Sequence, residues 1–147
     1  PLQDNTSEAP IIRFYEGDEG VAAILRDVLM TMRTNQVKEY YAYSSRPLRQ
    51  YIYRLFPNFT RQRIKEGIKV KVIAIGEGGE LAGLDERKWM RASTGAGADV
   101  SSYSLIYGDK VAFIALSSNN TPHGVIVHEP GMAAMQRLLF EQLWRAI

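Results

Sequence analysis

The stretch Ser102-Tyr-Ser-Leu-Ile-Tyr-Gly-Asp-Lys-Val-Ala-Phe-Ile-Ala-Leu116 decides the fold, because it holds two β-prone runs joined by a tight turn. The runs Ser102–Ile106 and Lys110–Leu116 flank the turn at Tyr107-Gly-Asp109, and a short connection leads to a third run, Gly124–His128. Short turns of this kind join antiparallel neighbours. The last third of the chain therefore predicts three antiparallel strands.

The first part of the chain instead alternates strands with helices. The β-prone runs are Pro10–Tyr15, Val37–Tyr43, Ile68–Ile75 and Lys88–Ala92. Residues 18–33 repeat apolar side chains with the period of one helix face, and residues 46–66 form a second helical segment. Crossovers through helices place strands in parallel. Together the two parts predict an α/β fold, with a mixed β-sheet flanked by helices on both faces.

The final predicted helix begins at Pro130, a position that favours proline. Arg137, Glu141 and Arg145 follow at intervals of four and predict a solvated stripe. Most other residues of this helix are apolar, so its apolar surface is wider than one sheet face covers. We therefore expect the helix to contribute to a homodimer interface through Met135, Leu139, Phe140, Leu143 and Trp144.

Composition limits the possible classes of protein. The 147 residues are 46% hydrophobic, carry a net charge of +2 and include no cysteine, which excludes disulfides and cysteine nucleophiles. No signal peptide or membrane span is evident, so we expect a cytoplasmic protein. The polar residues 1–9 predict a linker before a single domain, 10–147. Because the chain starts at Pro1, we expect a further segment to precede that linker.

A basic block lies between Arg46 and Lys71, where eight cations accompany one acid, Glu66, for a local charge of 8 − 1 = +7. Aromatic residues are interleaved with these cations. Two interpretations remain open: a nucleic-acid surface, or an amphipathic helical segment whose aromatics face the core while its cations face solvent. The helical spacing of the aromatics favours the second.

Motifs for cofactors and metals are incomplete. The loop Gly76-Glu-Gly-Gly-Glu80 follows a strand, but Leu81 occupies the position of the third glycine in a dinucleotide fingerprint. His123 and His128 are five residues apart, so on one strand they point to opposite faces. We expect neither a cofactor nor a bound metal.

Polar side chains occur where several predicted strands end. They are Tyr15, Glu16, Tyr43, Ser44, Ser45, Arg46 and Glu129. Ligands of open α/β sheets bind outside the carboxyl ends of the strands, and this mixture of groups suits a small polar molecule such as a sugar. The same side chains are also suited to capping the helices that follow the strands. Both roles stay open from the sequence.

Several segments occur in the order typical of one family. They are Pro10-Ile-Ile-Arg-Phe-Tyr-Glu-Gly17, Glu19-Gly-Val21, Tyr43-Ser44, Arg63-Ile-Lys-Glu-Gly-Ile-Lys-Val70, Ile106-Tyr-Gly-Asp-Lys-Val111 and Leu139-Phe-Glu-Gln-Leu-Trp144. Over nearly all of 10–147 the chain resembles the C-terminal effector domain of TrmB-type transcriptional regulators. The resemblance implies a phospholipase D-like fold, a homodimer, and binding of a small effector such as a sugar. It also implies that DNA is contacted only through a winged-helix domain absent from this chain.

The same resemblance bears on catalysis, because the phospholipase D motif is His-x-Lys followed after four residues by Asp. Aligned on Lys110, its histidine and aspartate positions hold Gly108 and Ala115. Without that nucleophile we expect no enzyme, and Lys110 joins the candidate ligand-binding residues. The alternatives are a degenerate phosphodiesterase that uses Lys110 with other partners, and nucleic-acid binding by the basic block.

Overall fold

The structure is a computed structural model that describes residues 9–76, 79, 81–91 and 101–147. The expected linker at 1–9 therefore lies almost wholly outside the described residues, as do most of the glycine-rich loop after Gly76 and the connection at 94–99. The strands are β1 (Ile11–Glu16), β2 (Glu39–Ser45), β3 (Lys69–Ile75), β4 (Asp85–Met90), β5 (Ser102–Tyr107), β6 (Lys110–Leu116) and β7 (Pro122–His128). The helices are α1 (Gly17–Thr34), α2 (Arg46–Leu55), α3 (Phe59–Lys65) and α4 (Pro130–Ala146).

All seven described strands form one mixed sheet in the order β1-β7-β6-β5-β2-β3-β4. The pairs β2–β3 and β3–β4 are parallel, and the other four pairs are antiparallel. The predicted mixed sheet is confirmed: α2 and α3 connect the parallel pair β2–β3, and short turns connect the antiparallel pairs β5–β6 and β6–β7. The fourth strand begins at Asp85, three residues before the predicted run at Lys88–Ala92.

Helices α1, α2 and α3 cover one face of the sheet, which we call the covered face. Helix α1 buries the apolar stripe that its sequence predicts, from Val21 to Met32. It lies close to β7 because Gly124 has no side chain: a Cβ there would be 2.5 Å from Ile24 Cδ1. The core on this face spans β7, β6, β5, β2 and β3. These contacts supply most of the buried apolar area.

Helix α4 lies on the opposite face and packs mainly against β5 and β6. Its core is smaller and is centred on Phe140, which is fully buried and stacks on Tyr41 at 4.3 Å between ring centroids. Helices therefore flank both faces, as the sequence predicts. Phe140 was expected at an exposed interface, and that expectation is wrong because its ring fills this chain's own core.

The charged stripe of α4 also differs from expectation. Arg137 donates a hydrogen bond to the Gly108 carbonyl, and Glu141 accepts one of 2.9 Å from the Tyr41 hydroxyl. The stripe predicted to be solvated therefore borders the sheet at these two residues, while Arg145 is exposed. The outward side of α4 is correspondingly apolar. No helix among the described residues is long and apolar enough to cross a membrane.

Candidate ligand-binding cleft

The strand directions separate the predicted site residues. Strands β1 and β2 run the same way, so Tyr15 and Glu16 lie at the same edge of the sheet as Ser44. Three strands separate β1 from β2. At about 4.8 Å per strand spacing, this places the two groups roughly 19 Å apart. They do not form one cluster.

Glu129 lies at the opposite edge, because β7 runs antiparallel to β1. Its carboxylate accepts a 2.6 Å hydrogen bond from the Met132 backbone N–H and so caps α4. Its own N–H donates to the Asp109 carbonyl. The structure thus brings Glu129 near Lys110, which pairs with His128 across the β6–β7 ladder, and away from the other candidates.

Lys110 is held by α1. Its Nζ lies 3.1 Å from Asp27 Oδ2 and 3.0 Å from Thr31 Oγ1, and the Tyr107 hydroxyl donates to the same Asp27 carboxylate at 2.9 Å. Burial, and then the Asp27 charge, raise the pKa of Tyr107 above its usual value, so its hydroxyl stays protonated and donating. The ammonium group of Lys110 is thereby neutralised within the fold.

The remaining candidates lie at the end of β2 and face different ways. Ser44 and Ser45 are buried, at 1% exposure each. Ser44 Oγ accepts a 2.9 Å hydrogen bond from Arg49, and Ser45 Oγ accepts one of 3.1 Å from the Ser102 N–H. Tyr43 packs edge-on against Phe140 under α4, on the other side of the sheet from Ser44. Arg46, the first residue of α2, is exposed.

A cleft opens where α2 and α3 cross strands β2 to β4. It has a volume of about 70 Å³ and opens to solvent. Its walls combine aromatic rings, short polar side chains and three arginines; the polar lining residues are Tyr40, Ser44, Arg49, Tyr53, Thr60, Arg63, Asp85, Arg87 and Tyr103. Of the residues expected at a ligand site, only Ser44 lines this cleft.

Two of the three arginines serve the fold directly. Arg63 is 3% exposed and donates to the carbonyls of Ile68, Gly83 and Leu84, which fixes α3 to the loop before β4. Arg49 is 7% exposed and donates to both the carbonyl and the hydroxyl of Ser44. Both were expected to be solvated cations of the basic block, and that expectation is wrong because their guanidinium groups bind carbonyl-rich chain ends inside the fold.

The third arginine, Arg87, differs from the other two. Its Nε and Nη1 atoms are buried and have no hydrogen-bond partner among the residues that the structure describes. Gly79 lies against this guanidinium group, because a Cβ at that position would be 2.6 Å from Nη1. Buried donors without acceptors are costly. Arg87, which lines the cleft, therefore has hydrogen-bonding capacity that the described residues do not use.

The electrostatics of the cleft favour negative charge. Burial, followed by the positive charge of Arg87, lowers the pKa of Arg49. Burial raises the pKa of Tyr103, although all three arginines act in the opposite direction on its hydroxyl. Burial also raises the pKa of Tyr40. The one carboxylate in the described lining, Asp85, accepts hydrogen bonds from the Ala82 and Gly83 N–H groups, so the cleft offers cations and neutral hydroxyls.

A second feature is the part of the α4-side surface that α4 leaves uncovered, which we call the open face. It is formed by outward residues of β1, β6 and β7 together with one side of α4. Its members are Ile12, Phe14, Phe113, Val125, Val127, Met132, Met135 and Leu139. Phe14 is 82% exposed and Met135 is 56% exposed. A groove of about 400 Å³ runs between this part of the sheet and α4.

The expected interface residues divide between this surface and the core. Met135 and Leu139 are exposed on α4. Leu143 and Trp144 are half-buried against the core beneath the helix, where Trp144 stacks on Phe140 at 5.8 Å. The exposed residues of β1 and β6 were not predicted as interface residues. The sequence marks them as strand residues, but only the sheet order shows that this side of the strands has no helix over it.

Comparison with known proteins supplies distant structural likeness. No family model matches the chain, and no curated protein does. Among solved structures, TrmBL2, an archaeal chromatin protein described as showing a novel mode of DNA binding, matches 92% of this chain at a TM-score of 0.58 and 11% identity. This chain covers 51% of TrmBL2, about half its length.

Two further structures match over nearly their whole lengths. NucT from Helicobacter pylori has a TM-score of 0.62 and 9% identity, covering 93% of this chain and 97% of its own. Nuc from Salmonella typhimurium, a phospholipase D family member, has a TM-score of 0.54 and 14% identity, covering 93% of this chain and 95% of its own. The fold is phospholipase D-like. At these sequence identities the likeness shows the fold alone, and function has to be argued from the residues of the site.

Proposed function

We propose that this chain is a non-catalytic, ligand-sensing dimerisation domain of a TrmB-like transcriptional regulator in the cytoplasm. A second copy of the chain covers the open face, and a separate N-terminal domain contacts DNA. The likeness to TrmBL2 supports this role, since the chain matches about half of a DNA-binding protein. The observation that carries the proposal is the open face.

The open face has the chemistry of an oligomer interface. Its members are apolar side chains of three adjacent strands and one helix, and several are more than half exposed, including Ile12, Phe14 and Met135. Monomeric proteins rarely expose contiguous apolar surface of this kind. Two copies related by a twofold axis would each bury the same patch. The hydrogen bonds of Arg137 and Glu141 hold these two charges against the sheet, away from the exposed side of α4 that carries Met135.

Sensing requires a ligand that binds one dimer arrangement more tightly than another. The cleft under α2 and α3 is the site we assign to it, because it combines buried cations, hydroxyls and aromatic rings. A ligand there contacts α2, α3 and the strands beneath them at once. The shift in dimer geometry that it produces is limited by its difference in affinity between the two arrangements.

The catalytic alternative has structural neighbours of its own, including a phospholipase D family member. The geometry around Lys110 does not favour it, because Asp27 and Thr31 engage the ammonium group. His123 and His128 point to opposite faces of β7. The described residues contain no group of three or more histidine and acidic side chains placed for a metal ion.

The experiment is the mass of the chain in solution by size-exclusion chromatography with light scattering. We expect the wild-type chain to have the mass of two copies at micromolar concentration. Met135→Glu should shift it to the mass of one copy, because a carboxylate in an apolar interface loses its hydration. The matched control is Met30→Glu, an exposed methionine of α1 outside the open face, which should leave the dimer intact.

Two results would contradict the proposal. One is a wild-type chain that has the mass of a single copy at every concentration. The other is a dimer that Met135→Glu leaves unchanged, since that result would place the interface elsewhere.

A further inference from the structure

Arg87 lines the cleft but lacks hydrogen-bond acceptors among the described residues. Two of its buried nitrogens have no partner in the described part of the chain. The other two arginines donate to carbonyls or to Ser44 and so are already engaged by the fold. A guanidinium group in this situation favours an anion, which supplies charge and acceptors together.

The surroundings of Arg87 strengthen this preference. All three arginines act on the Tyr103 hydroxyl, so three positive charges converge on one region of the cleft. The carboxylate of Asp85 is engaged by backbone N–H groups of the loop before β4. Positive charges held together in a partly buried site repel one another, and an anion between them relieves that repulsion.

We propose that the cleft binds a small oxyanion, a phosphate or carboxylate group, with Arg87 as its principal ligand. The volume of about 70 Å³ is about half that of a cavity that holds one benzene ring, so it suits such a group better than a whole sugar ring. The remainder of a larger effector extends through the open side of the cleft. As the class of effector this inference rests on the proposed sensing role, but as a binding site it can be tested alone.

The test is thermal unfolding of the full chain in sodium phosphate and, separately, sodium acetate, each against sodium chloride of equal ionic strength. We expect a saturable rise in Tm of several degrees in one or both oxyanion salts, because a ligand that binds only the folded state stabilises it. A response to phosphate alone assigns a phosphate group, and a response to acetate alone assigns a carboxylate. No rise in either salt overturns the proposal.

Variants connect the response to Arg87. Arg87→Gln should weaken the apparent affinity at least about tenfold, the loss expected for a charge-assisted hydrogen bond. The matched control, Arg54→Gln, removes an exposed arginine of α2 that does not line the cleft, and should respond like the wild type. Equal responses of Arg87→Gln and the wild type would overturn the proposal. If near-ultraviolet circular dichroism shows Arg87→Gln to be unfolded, Arg87→Lys replaces it and should also bind more weakly.

A further variant asks whether the chain supplies the anion itself. Glu77 lies two residues before Gly79 in the sequence and Glu80 directly after it, and the double variant Glu77→Gln, Glu80→Gln removes both charges. If only this variant responds to oxyanions, an internal carboxylate takes the site and the proposal of an external ligand is overturned. If the chain is monomeric but responds to an oxyanion, the binding site is supported and the dimer model is contradicted. If the chain is a dimer but does not respond, the dimer model is supported and the binding site is contradicted.

Discussion

The two faces of the sheet differ in how completely this chain covers them. On the covered face, α1, α2 and α3 bury side chains of five neighbouring strands. On the other face, α4 buries only the strip around Ile73, Ile106 and Val111, and β1 and β6 are left with apolar residues in solvent. Both faces follow the same alternating pattern along their strands. The difference therefore comes from the number of helices above each face.

This difference indicates two separate tasks. The covered face supplies the stability of the isolated domain, because its side chains are removed from water whether or not a partner is present. The open face adds little until something covers it. Phe113 and Ile114 show the contrast within one strand: adjacent in β6, they are 39% and 0% exposed.

The largest expected effect tests that pair directly. Ile114→Ala should lower the free energy of unfolding by about 2–5 kcal/mol, because it leaves a cavity in a fully buried core. Phe113→Ala should cost about 1 kcal/mol or less when introduced into the monomeric Met135→Glu variant. Urea unfolding followed by circular dichroism measures both. Equal losses of unfolding free energy in Ile114→Ala and Phe113→Ala would contradict the difference between the two faces.

An intermediate effect is expected at the edge of the covered face, where Lys110 joins β6 to α1. Lys110→Ala should lower the free energy of unfolding by about 1–2 kcal/mol, because it leaves the partly buried Asp27 carboxylate without its ion pair. Neither the wild type nor the variant should hydrolyse a generic phosphodiester. Turnover that disappears in Lys110→Ala while folding is retained would favour the degenerate phosphodiesterase.

The smallest effect separates the faces by tyrosine ionisation. Burial, and then the hydrogen bond to Glu141, raise the pKa of Tyr41 under α4 to about 12, and burial raises the pKa of Tyr107 on the covered face still further. Both folded pKa values exceed the unfolded value of about 10. The contribution of these tyrosines to the free energy of unfolding should therefore be fully present below pH 10 and decrease as the pH rises above it. In a spectrophotometric titration, Tyr41→Phe should remove a transition near pH 12. Tyr107→Phe should remove absorbance only at the unfolding step; a Tyr107 transition below pH 11 in the folded chain would contradict this.

Much of the fold could be predicted because local patterning decides it. The bounds of β6 match the predicted run Lys110–Leu116, and the apolar stripe of α1 is the one that its spacing indicates. Short turns predict that β5–β6 and β6–β7 are antiparallel, and a helical crossover predicts that β2–β3 is parallel. The other three pairs carry neither signal. Gly67, at a φ of 72°, ends the second helical segment as expected of a helix-terminating glycine.

The candidate site was harder to predict because it depends on strand direction and order. Glu16 ends β1 and Glu129 follows β7, but β1 and β7 run in opposite directions, so the two residues lie at opposite edges. The cleft depends on arginines whose sequence context suggests solvated cations. Arg49 and Arg63 are buried because nearby carbonyls and Ser44 accept their hydrogen bonds, a tertiary arrangement that helical periodicity does not show.

Helix α4 shows the same limit. Its apolar residues surround most of its circumference, so periodicity alone does not tell which of them contact the sheet. The structure places Phe140 inside and Met135 outside, and it turns Arg137 towards the sheet. The wide apolar surface expected on this helix is present. It lies on the side that carries Met135, not on the side that carries Phe140, and it continues onto strands β1, β6 and β7.

Thiol reactivity on the open face tests the central claim most directly, and the absence of native cysteine makes single-cysteine variants unambiguous. Met135→Cys and Met30→Cys would each be reacted with a chromogenic disulfide at increasing protein concentration. The account predicts that the thiol at position 135 reacts progressively more slowly as the dimer forms, while the thiol at position 30 reacts at a constant rate. Concentration-independent rates at both positions would contradict a second copy covering the open face.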